Sequence, residues 1–354
     1  MFDSETLNAF DGGFRFEIPS VVTLFGNPAI SVSEKFISVP ISRSIEVLAK
    51  RGDHVSWKGK KEYEQNYTSL PTNGSWSDPI REMTTISLQR GWTNPPEIMA
   101  IENVNFNAGI GYISAFIISL IMSFSSINDI TLSSSEMMQI STEIQEKMTK
   151  TSNRLEVHTQ IEGRPNSIMI SEGPGKGFRN EIWSQEPYSL YLIEENALSE
   201  NPNFKIFERN FRKFNTNSML KKDPNSLNFP FNSYHSHFSH EGDYFEKLSS
   251  AIDKNDLTSF VEYVAKMNES VEFNLNVISP FQHNIAGLLR KYNANSFCFN
   301  ISEFSGSVLL FADGPTVDRV RENVIRDYFG LTNKTISINE VNISGPIKKE
   351  RIVH

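Results

Sequence analysis

Cysteine is nearly missing from this chain of 354 residues: Cys298 stands alone, so no disulfide can form within the chain, and a reducing compartment fits it best. Long hydrophobic runs are missing too. The most apolar stretch, residues 112–124, is too short to span a bilayer and carries serines, so it reads as a buried helix and no membrane partner is expected. Basic clusters are absent, and 34 Lys and Arg against 42 Asp and Glu leave a formal net charge of -8, which argues against nucleic acid as a partner. No Walker sequence, zinc-ligand spacing or serine or cysteine nucleophile motif occurs. His235, His237 and His240 alternate in a polar stretch without a fourth ligand, so no metal is expected. The opening Met1-Phe2-Asp3-Ser4-Glu5 has neither the basic nor the apolar region of a signal peptide, and a cytoplasmic location is the expectation.

What is present is an ordinary globular composition, 38% hydrophobic and 21% charged, in a chain long enough for two cored halves. Apolar residues alternate or run in short blocks from Phe14 to Leu48, predicting successive antiparallel strands with turns at Pro19 and Gly26. Residues 57–96 read as hairpins and loops. A helix is expected from Gly111 to about Ser125, and Ser133 to Glu136 caps a second one whose apolar stripe is Met137, Ile140, Ile144 and Met148. Strands near Ile168 and over 188–193 are expected to complete the first half. Residues 199–242, rich in Asn, Ser, Phe, Pro and His, read as a long loop or lid. Helices over 244–253, 257–271 and 281–292 then precede strands at 297–301 and 307–311. A helix opened by Gly314-Pro315 and a last strand over 335–343 follow. That order suggests an α+β, ferredoxin-like second half.

Residues 107–116, Asn-Ala-Gly-Ile-Gly-Tyr-Ile-Ser-Ala-Phe, have the form of a loop that cradles phosphate, with glycines admitting backbone N–H groups and a helix start beyond them. Gly109 and Gly111 are kept. Tyr112 and Ile113 stand where small hydroxyl residues would add donors, and both side chains are expected to fill the phosphate space.

This loop is similar to the G-A-G-L-G-S-S-A-A segment of the superfamily of galactokinase, homoserine kinase, mevalonate kinase and phosphomevalonate kinase, which includes the mevalonate-pathway decarboxylases. Residues 21–30 and 37–41 resemble the opening K-V-I-L-F-G-E-H-A-V and A-I-A-V-P-I of mevalonate kinases; the lysine of that pattern falls on Val21, and the decarboxylases' nearby lysine on Thr23. Residues 301–310 are placed like the superfamily's closing glycine-rich loop, and 151–157 like T-P-S-G-I-D, which carries the kinases' catalytic aspartate. The resemblance implies a two-lobed α+β fold of that superfamily, with a ribosomal-protein-S5-like N-terminal half over 1–195, a lid or connecting segment over 196–243 and a ferredoxin-like half over 244–354.

The resemblance also implies site residues. Glu156 takes the place of the kinases' aspartate, where a carboxylate would receive the attacking hydroxyl's proton; the plainer reading is a surface glutamate opening the next strand. Glu303 on the closing loop is the candidate carboxylate of a decarboxylase. Asp313 is the alternative, unless it merely caps the helix after it. Arg154, Ser114 and Ser305 are the candidate substrate contacts. Because the phosphate loop is altered, the activity implied is nucleotide-independent decarboxylation and dephosphorylation of a mevalonate bisphosphate to isopentenyl phosphate in isoprenoid biosynthesis. That activity needs no cofactor, takes a phosphorylated mevalonate as substrate and allows a homodimer. Two alternatives stay open: a MgATP-dependent small-molecule kinase of the mevalonate kinase type, and an inactive member acting as a binding or regulatory protein.

Overall fold

The computed structural model describes residues 2–26, 35–149, 154–173, 176–184, 186–197, 199–214 and 216–353. A short helix, α1 (Ser4–Ala9), leads into two long antiparallel strands, β1 (Phe14–Phe25) and β2 (Phe36–Arg51). Pro19 does not turn the chain. It lies inside β1 at a register shift, Pro19 facing Ser44 and Ser20 facing Ile41, where the ladder tolerates a residue without an N–H. Residues 57–96 hold more order than expected: the hairpin β3 (Val55–Lys58) and β4 (Glu62–Gln65) is followed by a helix, α2 (Asp78–Gln89), and by β5 (Pro96–Glu102). Pro79 sits in the first turn of α2, and Ile80, Met83 and Ile86 share its buried face. The strand order is β12-β1-β2-β5-β3-β4, with β6 (Ser167–Ser171) on β2, β7 (Phe178–Ile182) on β6, and β12 (Lys348–Arg351) returning from the far end of the chain.

Helices α3 (Tyr112–Ile127) and α5 (Arg154–Glu162) cover this sheet, and α4 (Ser134–Thr149) packs on both of them. The expected cap of α4 forms, with Ser133 N–H donating to Glu136 Oε2 at 2.8 Å, and Ile140 and Ile144 of its stripe are fully buried.

The strand β8 (Ser189–Glu195), expected in the first half, belongs instead to a second sheet in which all neighbours are antiparallel. Its order is β11-β8-β10-β9, with β9 (Phe297–Asn300), β10 (Ser307–Ala312) and β11 (Ile336–Val341). Both faces of this sheet are covered. Leu190, Leu192, Cys298, Leu309 and Phe311 face the core shared with the first sheet, α8 (Phe231–Asp253) and α9 (Leu257–Ser270). Tyr191, Ile193, Val308 and Leu310 face the core under α10 (Pro280–Lys291) and α11 (Gly314–Thr332). Two-sided burial explains why β10 reads as a continuous apolar run rather than an alternation.

Residues 199–242 are not a loop. They form α6 (Pro202–Phe211), the short α7 (Thr216–Met219) and the first half of α8. Phe204, Phe207, Phe211 and Phe214 recur at helical spacing, and Phe207 and Phe214 are buried against Tyr234 and Phe238. His235, His237 and His240 therefore lie on a helix; the first two are buried, and burial holds the His237 imidazole neutral by pushing its pKa down to about 4. Among the described residues, no helix is long and apolar enough to cross a membrane.

Candidate active site

Residues 105–114 carry the chain from β5 into α3 through two left-handed positions. Phe106–Ala108 form one turn of 3-10 helix that ends at Gly109 (φ 69°), and Gly111 (φ 75°) is the N-cap of α3. A Cβ at Gly109 would stand 2.8 Å from the Asn300 carbonyl oxygen and 3.1 Å from that of Ile301, so close packing as well as dihedral angle demands glycine. Both sheets hold the turn: Val21 N–H donates to Ile110 O at 3.0 Å, and Gly306 N–H donates to Asn107 O at 2.9 Å. Gln160 of α5, fully buried, donates from Nε2 to the carbonyls of Pro19 at 3.0 Å and Gly111 at 3.2 Å.

Because Gly111 has no side chain, α3 begins without a side-chain cap, and its first N–H groups lie at the positive end of the helix. A carboxylate reaches this start from elsewhere in the sequence. Ser114 Oγ donates to Glu156 Oε2 at 2.7 Å, and a Cβ at Gly111 would lie 3.5 Å from Glu156 Cδ. Glu156 is half-buried in the first turn of α5, not at the opening of a strand. Gly109, Gly111, Ser114 and Glu156 thus come together.

The remaining expected residues fall elsewhere or take other roles. Arg154 precedes Glu156 by two positions on one helix, about 200° around its axis, and is exposed beside an open groove lined by Gln139, Thr142, Glu143, Glu146 and Lys147. Ser305 is buried, and its Oγ accepts from Asn107 Nδ2 at 3.0 Å, so it braces the turn from behind. Glu303 is exposed on the closing loop, where its backbone carbonyl accepts from Asn201 N–H at 2.8 Å. Asp313 is the N-cap of α11: its carboxylate accepts from Thr316 N–H at 2.9 Å, and those bonds to Thr316 lower its pKa. The six residues of β10 separate it from Gly306, roughly 20 Å at strand rise. The capping bond is the plainer of the two readings given for Asp313. The parts of the resemblance at 27–30 and 151–153 lie outside the described residues.

Tyr112 directs its hydroxyl to Glu102 Oε2 at 2.7 Å, while its ring stacks on Phe116 and meets Phe106 edge-on at 5.4 Å. Burial, then the Glu102 charge, raises the pKa of that hydroxyl. Ile113 packs against the first core. Sequence reasoning missed Glu102, although a signal existed: Pro96, Ile98, Ala100 and Glu102 share the inward register of β5, and a carboxylate at such a position is out of pattern. It also missed Glu194, which accepts from Asn105 Nδ2 at 3.0 Å and lies 3.7 Å from Arg43. Burial raises the Glu194 pKa, against the opposing pull of Arg43, Asn105 and Lys60. Nothing in the sequence pairs Arg43 with Glu194; the packing of two sheets does. Among the described residues, no group of three or more His, Cys, Asp or Glu could hold a metal ion.

No protein-family model matches the sequence, and no curated protein matches it. Solved structures do. A galactokinase of Lactococcus lactis complexed with galactose superposes with a TM-score of 0.80 at 12% identity, over 98% of this chain and 98% of that one. An L. major mevalonate kinase in complex with R-mevalonate gives 0.67 at 10% identity, over 95% and 98%. A homoserine kinase from Cytophaga hutchinsonii gives 0.62 at 10% identity, over 99% of both chains. The chain has the α+β fold of these kinases from end to end.

Proposed function

We propose that this protein transfers a phosphoryl group from a nucleoside triphosphate to a hydroxyl of a small molecule. The observation that carries the reading is the Glu156 carboxylate, 2.7 Å from Ser114 Oγ at the uncapped start of α3. Phosphoryl transfer is mostly positioning and charge stabilisation, and it asks for N–H donors against the phosphates and a group to take the attacking hydroxyl's proton. The first-turn N–H groups of α3, admitted by Gly109 and Gly111, suit the first task and would hold a nucleotide phosphate. Glu156 suits the second, with Ser114 orienting its carboxylate. The bound metal–nucleotide would supply the transferred group. Galactokinase, mevalonate kinase and homoserine kinase among the neighbours point to a hexose, mevalonate or amino-alcohol acceptor.

One observation favours the nucleotide-free decarboxylase. Tyr112, where a phosphate loop would carry a small hydroxyl residue, gives its side-chain donor to Glu102 and leaves no hydroxyl for a phosphate. Against that reading stand the exposure of Glu303 and the kinases among the neighbours named above. The two are separated by incubating the protein with galactose, other hexoses, mevalonate and homoserine, with and without MgATP, and with mevalonate 3,5-bisphosphate alone. A phosphorylated product that requires MgATP is expected by mass spectrometry. Release of phosphate and CO2 from the bisphosphate without nucleotide would replace the kinase reading, and no turnover in any mixture would leave a binding protein.

A further inference from the structure

The start of α3 is flanked by a second carboxylate that the proposed transfer does not use. Glu102, 9% exposed at the end of β5, accepts the Tyr112 hydroxyl at Oε2 (2.7 Å) and the Lys60 backbone N–H at Oε1 (3.1 Å). Lys60 lies in the turn between β3 and β4, and its Nζ donates to the Val104 carbonyl at 2.9 Å. A Cβ at Gly59 would press on Glu102 Oε1 and lie 2.9 Å from Trp57 Nε1, so a side chain there would have to displace the carboxylate. One carboxylate thereby ties three segments together: the 59–61 turn, the end of β5 and the first residue of α3. The tie continues into the other half of the molecule, where Phe106, 45% exposed, meets both Tyr112 and the closing-loop residue Phe304, the latter at 5.0 Å between ring centroids.

We propose that Tyr112 and Glu102 form the specificity-determining latch of this site, holding the 59–61 turn against the start of α3 and limiting entry of a triphosphate. The proposal rests on the phosphoryl-transfer reading. Tyr112 spends its only side-chain donor on Glu102, so the first side chain of the helix offers nothing to a phosphate. Glu102 and Glu156 bracket the helix start with two carboxylates, which opposes a bare polyanion and favours one neutralised by its metal. A nucleotide enters when the tyrosine swings off Glu102 and releases the turn.

Two variants test this. Tyr112→Phe keeps the ring and removes the hydrogen bond, whereas Tyr112→Ser removes both and restores a small donor. Amide hydrogen exchange reports the latch and calorimetry reports MgATP affinity. Exchange at Gly59, Lys60 and Lys61 is expected to quicken roughly tenfold in Tyr112→Phe, and Tyr112→Ser is expected to bind MgATP at least about tenfold more tightly than the wild type. Unchanged exchange in Tyr112→Phe, or equal and measurable MgATP affinity in Tyr112→Ser and the wild type, overturns the latch and leaves the phosphoryl-transfer reading standing. Faster exchange with no MgATP binding by any form defeats the phosphoryl-transfer reading itself, and the latch's role in nucleotide entry falls with it.

Discussion

Helix α3 begins after the Gly109–Gly111 turn and α11 directly after β10, and the two treat their first N–H groups in opposite ways. At α11 the answer is local: Asp313, the residue before the helix, folds its own carboxylate onto Thr316 N–H, and Pro315 follows in the first turn. At α3 the preceding residue is Gly111, which offers no side chain, and the nearby carboxylate comes from Glu156, 45 positions further along the chain, through Ser114. A helix start capped by its own sequence is finished when the chain folds. One left open, with its acidic partner supplied by a different helix, keeps donors for a ligand.

The largest expected effect breaks the α3 side of this contrast. Glu156→Gln removes a proton acceptor while nearly preserving shape, and turnover in the phosphorylation assay should fall roughly 100-fold or more with little change in melting temperature. Full activity in this variant would reduce Glu156 to a structural partner of Ser114. Next, Ser114→Ala takes a donor from a half-buried carboxylate and should cost about 2 kcal/mol in urea unfolding. A loss near zero would mean that water replaces the hydroxyl there.

The glycines give a finer test with opposite signs. Gly111→Ala forces a side chain into φ 75° and should destabilise by about 1–2 kcal/mol. Gly314, the first residue of α11, has open space around the Cβ position, so Gly314→Ala should stabilise by up to about 1 kcal/mol. Like signs would erase the distinction between the two helix starts.

The smallest effect concerns Asp313. Asp313→Ala should lower the melting temperature slightly at neutral pH and leave turnover intact. Bonds to Thr316 hold the folded pKa of Asp313 below the ordinary 3.8, so its stabilisation is complete above that value and is lost as pH falls through the lowered one. The melting difference between wild type and Asp313→Ala should therefore close under acid. A dead but stable Asp313→Ala would instead put chemistry at α11.

Several features were legible because they are written in consecutive residues. The cap of α4, the Gly-Pro opening of α11 and the loop glycines each depend on neighbours a few positions apart. The helices over 199–242 were legible in principle, since Phe204, Phe207, Phe211 and Phe214 keep a helical period, but the polar residues between them hid it. Adjacency in sequence does not give a shared face: Arg154 and Glu156 are two steps apart on α5, which turns their side chains about 200° apart.

Local sequence set the α+β composition, the tight turn before α3 with its glycines, and a carboxylate in the helix after α4. The packing of the two sheets and their helices brought Glu156 to the start of α3, gave β8 to the second sheet and let Glu102 tie Tyr112 to the 59–61 turn. The difference is one of range. Caps, turns and periodicity act within about one helical turn of chain, whereas these contacts join residues brought together only when two sheets and their helices bury a common core.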